Sequence, residues 1–208
     1  RRTSHRAGVI KVAGGRDKLS EFEIKVFRAA AQAFLRTGCP VITHTEEGTA
    51  APEQIDVLTE AGADSRHVIL CHTDRKPDAE HHRALLRRGV TLEYDSCFRW
   101  KPEQGNPTLT LIAELAPEFP EQIVIGMDAA RRGYWKVYGG KPGLPFLLNE
   151  FSQQMRDAGV SRELIDRIFI DNPARCFAFT GNEQEKAGTA DCVGVRRGTH
   201  GQDAHATK

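Results

Sequence analysis

Four residues able to bind a metal ion or move a proton each stand at the end of a short apolar run. They are Lys11 after Val9-Ile10, His44 after Val41-Ile42, His72 after Val68-Ile69-Leu70, and Asp128 after Ile123-Val124-Ile125. Such continuous apolar runs suit strands covered on both faces, as in a parallel sheet wrapped by helices. Chemistry in these sheets gathers at the carboxyl ends of the strands. Neutral imidazole is a common ligand for zinc and its neighbours, and a carboxylate from another strand completes a hard-donor set. The four residues therefore read as a metal site on one rim of a (β/α) barrel. Lysine is the odd member, because an ammonium beside a cation repels it. Three roles stay open for Lys11: a buried ion pair with Asp128, a Schiff base with a carbonyl substrate, or reaction with carbon dioxide. The last gives a carbamate whose two oxygens can bridge two metals.

The segments that must position these residues alternate strand and helix signals. A strand over 7–13 is released by Gly14-Gly15. Ser20 with Glu23 forms a capping-box pattern, opening a helix in which Phe22, Val26, Ala30, Ala33 and Phe34 return at helical spacing before Gly38. Strands follow at 40–45, 67–71, 90–94 and 123–127. Between them lie helices opened by Pro52, Asp78 and Asn106-Pro107, with Ile55, Leu58, Leu85, Leu86, Leu111 and Ile112 among their apolar positions. Helical pattern resumes over 146–158 and 161–169, and Asn172-Pro173 caps a final turn. Five strand-then-helix units predict an α/β fold of parallel strands with right-handed crossovers. A (β/α)8 TIM-type barrel needs eight, so residues 1–180 read as a partial barrel. The stretch 181–208 is polar, dotted with glycine and aperiodic, and is expected to be disordered.

At 208 residues and 39% apolar content, the chain suits one well-buried domain. Its 29 basic and 28 acidic residues nearly cancel, and no basic block interleaved with aromatics occurs. A small-molecule substrate is therefore expected, rather than nucleic acid or a membrane surface. No apolar run approaches the ~20 residues of a membrane span, and a cytoplasmic location is expected. The five cysteines are an odd number without a CxxC pair, which predicts buried free thiols.

The segments AGVIKVA, PVITHT, HVILCHTD, GMDAARR and NPARCF, in this order, resemble the phosphotriesterase-like branch of the amidohydrolase superfamily over residues 7–179. That resemblance implies a barrel holding two divalent cations, commonly zinc, manganese or cobalt. A carbamylated lysine, matching Lys11, and a water or hydroxide bridge them. Histidines matching His44 and His72 bind one cation. The aspartate matching Asp128 binds the other and takes a proton from the bridging hydroxide. Members that open phosphorylated sugar lactones carry an arginine and a tyrosine matching Arg131 and Tyr134, with a lysine near Lys101, as phosphate contacts. The implied activity is lactone opening, with organophosphate triester hydrolysis as the alternative. Tyr94, Phe98 and Trp100 are expected to wall the pocket, and Arg175 to anchor the closing helix.

The family's first strand carries a His-x-His pair, and none occurs in this chain. The five units therefore read as the fourth to eighth, leaving only the cation at Lys11, His44 and His72 with its family protein ligands. Without an initiator Met, the chain reads as the remainder of a longer protein. Its first and last strands should then be open edges, covered by a lost N-terminal piece or by a second chain, such as a homodimer partner. An inactive remnant that folds only with a partner is the competing reading. A barrel aldolase working through Lys11 is a third.

Overall fold

Side chains alternate between the two faces of a strand, so register across the sheet decides which residues meet the helices and which meet one another. The structure is a computed structural model and describes residues 7–101, 103 and 105–180. Five short parallel strands lie side by side in sequence order: β1 (Ile10–Ala13), β2 (Val41–His44), β3 (Val68–Cys71), β4 (Thr91–Tyr94) and β5 (Ile123–Ile125). The crossovers are α1 (Glu21–Thr37), α2 (Ala51–Glu60), α3 (Ala79–Leu86) and α4 (Pro107–Leu115). After β5 come α5 (Ser152–Asp157), α6 (Arg162–Asp166) and α7 (Asn172–Cys176). The alternation expected from the sequence is the one observed. The stretch 181–208, with Cys192, lies outside the described residues.

One row across the sheet holds Val12, Thr43, Leu70, Leu92 and Ile123. This face packs on the helices, and its core includes buried Phe27, Ile55, Leu58, Leu86, Ile112 and Leu115. Each of these large side chains contributes roughly 1.5–3 kcal/mol by leaving water. The opposite face carries Ala13, His44, Cys71, Glu93 and Val124 in one row, with Lys11, Ile42, Ile69 and Thr91 one step back. There the apolar contribution is small: Ile69 and Val124 meet Cys176 of α7, with Ile42 against them. At Gly126 an added Cβ would lie 2.1 Å from Glu93 Oε1, so only glycine leaves room for that carboxyl beside the end of β5.

Caps fall where the sequence places them. Ser20 and Glu23 form a complete capping box, and Glu23 Oε1 also accepts from Gly15 N at 2.7 Å, tying down the β1–α1 loop. Gly38 ends α1 with φ 66°, donating to Phe34 O. The stripe of α1 that meets β1 and α2 differs from the expected one: Phe27, Ala30, Ala31 and Phe34 are buried, whereas Phe22, in the first turn, is 74% exposed. β1 starts at Ile10 rather than residue 7, and β5 stops at Ile125. The helix expected over 146–158 opens with a π-helical turn, Leu147–Phe151, before α5. Cys39, Cys71, Cys97 and Cys176 are free and buried, as expected. Among the described residues no helix is long and apolar enough to cross a membrane.

Candidate metal and anion site

The carboxyl ends of β2 and β3 bring two imidazoles together. His44 is the last residue of β2 and His72 follows β3, and their ring centroids lie 4.7 Å apart, edge to face. His72 has φ 66° and Asp128, three residues beyond β5, has φ 40°. Left-handed backbone costs a non-glycine residue of order 1–3 kcal/mol and persists only where the surroundings over-determine it. Here they do. His72 Nδ1 makes a short contact with Asp95 Oδ2, and a carboxylate only accepts, so this ring nitrogen carries the proton. Arg99 Nη2 donates to both the main-chain oxygen and Oδ2 of Asp128 at 2.9 Å, and Arg75 Nη2 donates to the same Oδ2 at 2.9 Å. Burial pushes the Asp128 carboxyl up, but the Arg99 hydrogen bond and the charges of His72, Arg99 and Arg75 outweigh it. The net result is a carboxyl held below its ordinary range.

Lys11 stands apart from that cluster. It is exposed on the same face, with Nζ 3.8 Å from Cys71 Sγ. The ion pair considered between Lys11 and Asp128 is not formed, because Arg75 and Arg99 hold that carboxylate. His44 is half-buried, with Nε2 3.0 Å from Glu46 Oε1.

Three further residues belong to the centre. Asp95, fully buried at the end of β4, joins His72 and Asp128 in a triad whose donor atoms lie within 4.8 Å of one another. Arg75 reaches it from the 3-10 turn after β3 and Arg99 from the loop after β4. The strand-end rule that singled out His72 also points to Asp95, the first residue after Tyr94. No periodicity signals a loop arginine. Behind them Asp74, also fully buried, accepts from Asp95 N, Ser96 N and Thr108 Oγ1. Burial drives its carboxyl above the ordinary range, against the opposing pull of those hydrogen bonds.

Beside the centre lies a cavity of about 910 Å³, lined by Phe98, Arg99, Trp100, Arg131, Tyr134 and Lys141 among others. Every charged residue in its lining is cationic. The Arg99 guanidinium stacks 5.2 Å from the Phe98 centroid and 5.7 Å from that of Tyr134, so one side chain faces both Asp128 and the cavity. A smaller cavity of about 260 Å³ adjoins Arg75, Ser96, Arg99 and Trp100. Of the expected anion contacts, Arg131 and Tyr134 line the larger cavity, while Lys101 is exposed and not among its lining residues. Phe98 and Trp100 wall it as expected. Tyr94 does not: period two turns it to the helix side, where it is fully buried and bonded to His82 Nδ1 at 2.9 Å. Arg175 of α7 approaches Glu121 at 3.9 Å, ahead of β5.

The donor chemistry fits divalent cations: two imidazoles in edge contact and two carboxylates, one of them orienting a ring from behind. Arg75 Nη2 sits among them, 3.1 Å from His72 Nδ1 and 3.8 Å from Asp95 Oδ1, while its buried Nε lacks a hydrogen-bond partner. A positive charge is thus already favoured at this place.

Comparison with known proteins bears on this geometry. The sequence model of the phosphotriesterase family matches residues 1–177. A phospho-furanose lactonase of Mycoplasmopsis synoviae is 32% identical over 186 residues, covering 86% of this chain and 53% of the relative. The crystal structure of a lactonase from Listeria monocytogenes superposes with a TM-score of 0.79 at 32% identity, covering 86% of this chain and 56% of that one. The phosphotriesterase homology protein from Escherichia coli, complexed with phosphate in its active site, gives a TM-score of 0.79 at 29% identity, over 85% of this chain and 61% of its own. The chain thus spans little more than half the length of the curated relatives it matches, and its five units correspond to part of their barrel.

Proposed function

Because the chain belongs to the phosphotriesterase family, we propose that it carries one side of the active site of a metal-dependent hydrolase that opens a lactone of a phosphorylated sugar acid. One observation carries this reading: Arg99 joins the His72–Asp95–Asp128 cluster to a cavity whose charged lining, Arg99, Arg131 and Lys141, is wholly cationic. His44 and His72 would hold one cation, with a carbamate on Lys11 as a further ligand, and Asp128 would serve a second. Zinc, manganese and cobalt all suit such donors. Bound divalent cations supply Lewis acidity, which polarises an ester carbonyl and acidifies water.

The chain's own residues do the rest. Asp95 holds the His72 ring so that Nε2 keeps its lone pair. Asp128, kept ionised by two arginines, accepts a proton and passes it to the leaving alkoxide of the opened ring. Arg131, Tyr134 and Arg99 bracket a phosphate, with Arg99 taking the part expected of Lys101. Each charge-assisted hydrogen bond contributes ~1.5–3 kcal/mol. A neutral triester gains nothing from these cations, which favours the lactone over the organophosphate. β1 and β5 each pair along one side only among the described residues, and the proposal includes a further segment or a second copy covering those edges. The test is an assay of metal-loaded protein against phosphorylated and unphosphorylated lactones plus one triester. Preference for the phosphorylated lactone is expected, and preference for either uncharged substrate would overturn the anion site.

A further inference from the structure

Asp74 is a fully buried carboxylate whose three hydrogen-bond partners are all neutral. Burying an acid this way is costly unless every acceptor position is used. Oδ1 accepts from Asp95 N at 3.2 Å, and Oδ2 accepts from Ser96 N at 2.8 Å and from Thr108 Oγ1 at 2.6 Å. All three partners donate. A carboxylate meets them, whereas the isosteric amide would turn an NH2 toward one of them. The first amide belongs to Asp95, whose side chain is set against His72. Thr108 in turn accepts from Trp100 Nε1 at 2.8 Å, and Trp100 walls both cavities. Asp74 thus joins the turn after β3, the end of β4 and the first turn of α4, and through them the imidazole and the indole.

We propose that Asp74 is a positioning residue that makes the cation site at His72 and the Trp100 wall of the substrate cavity one mechanical unit, so that a cation bound at one is felt at the other. This rests on the metal-hydrolase reading. A purely structural Asp74 would change stability without separating the two sites.

The sequence contains two tryptophans, Trp100 and Trp135, so a Trp135→Phe background leaves Trp100 as the single reporter. The full chain in that background is titrated with zinc, which has no absorbance to quench the indole. Affinity is read separately by competition with a chromophoric chelator. Zinc should shift the Trp100 emission. Thr108→Val should keep zinc affinity within about threefold yet reduce the emission shift at least fivefold, and Thr108→Ser, which retains the hydroxyl, should restore it. Asp74→Asn should lose the shift and weaken zinc about 10- to 100-fold, the range for a group supporting a ligand. If Asp74→Asn does not fold, the Thr108 pair decides. Zinc bound by the parent with an unchanged shift in Thr108→Val, or a Thr108→Ser variant that behaves like valine, overturns the positioning role alone. A parent that binds no zinc overturns the metal reading and this inference together.

Discussion

The two halves of the site are built differently. On the side of β3, β4 and β5, His72, Asp95 and Asp74 are buried, and Asp128 is held by two guanidinium groups. On the side of β1 and β2, Lys11 is exposed against a thiol and His44 leans on Glu46, whose side chain is 41% exposed. One half is preorganised, because each polar group is held by hydrogen bonds or ion pairs to its neighbours. The other is more exposed and its donors are held by fewer contacts among the described residues. Preorganised dipoles and charges do their work without rearranging during a reaction, so the proposed function assigns proton transfer and substrate selection to the first half. Under the proposed function, Lys11 and His44 of the second half would add cation donors to His72 and Asp128 of the first.

The largest expected effect tests the preorganised half directly. Asp128→Asn keeps the shape and removes the proposed proton acceptor, so kcat for a phosphorylated lactone should fall by about 10²–10⁴ with little change in KM. A kcat within tenfold of the parent would move proton transfer elsewhere.

Next comes pH. His82, fully buried in α3, has Nε2 3.0 Å from Thr73 O and 3.1 Å from Lys76 O and so pins the loop that carries Asp74 and Arg75. Burial, with the charge of His81 adding to it, pushes its ring down to about 4. The unfolded chain protonates this ring near ~6.5. His82 therefore contributes stability that is complete above the unfolded value and is lost as pH falls from there toward 4, on the order of 3 kcal/mol in total. Thermal melts between pH 4 and 7 should show this slope in the parent and a flatter one in His82→Gln. Equal slopes would mean that His82 is not the group responsible.

Why these roles were only partly legible follows from the same contrast. Strand ends are local signals, so His44, His72 and Asp128 could be picked out from short apolar runs. Asp95 obeys the same rule but stands before Ser96-Cys97-Phe98, where loop chemistry masks it. Arg75 and Arg99 are centre residues only because the sheet order brings three loops together, and long side chains reach from there in directions that no spacing encodes. Tyr94 shows the cost of ignoring period two: one residue after inward-facing Glu93, it belongs to the helix side. Phe22 and Phe27 both fit a helical stripe, and packing on β1 and α2, not spacing, selects the second.

A smaller effect is expected at the seam between metal cluster and cavity. Arg99→Ala removes one cation from the proposed anion site and one partner from Asp128. It should raise KM for a phosphorylated lactone about tenfold, in line with one charge-assisted bond. The ratio of KM values for phosphorylated and unphosphorylated lactones separates anion binding from general damage, since only the first responds to the phosphate. Equal changes for both substrates would assign Arg99 to Asp128 alone.

The smallest effect belongs to the open half and decides whether the contrast is real. Glu46 Oε1 lies 3.0 Å from His44 Nε2, and that hydrogen bond, opposed by slight burial and aided by the charges of His44, Arg16 and Arg75, holds the Glu46 carboxyl below its ordinary range. The pair is partly exposed, and exposed ion pairs contribute about 0–1 kcal/mol. Glu46→Gln should leave the melting temperature almost unchanged. If His44 presents Nε2 to a cation, Glu46 competes with that cation, so the substitution should also leave zinc affinity unchanged or raise it slightly. A loss of affinity comparable to that of Asp74→Asn would show that Glu46 supports the ring as Asp95 supports His72, and the two halves would then be built alike.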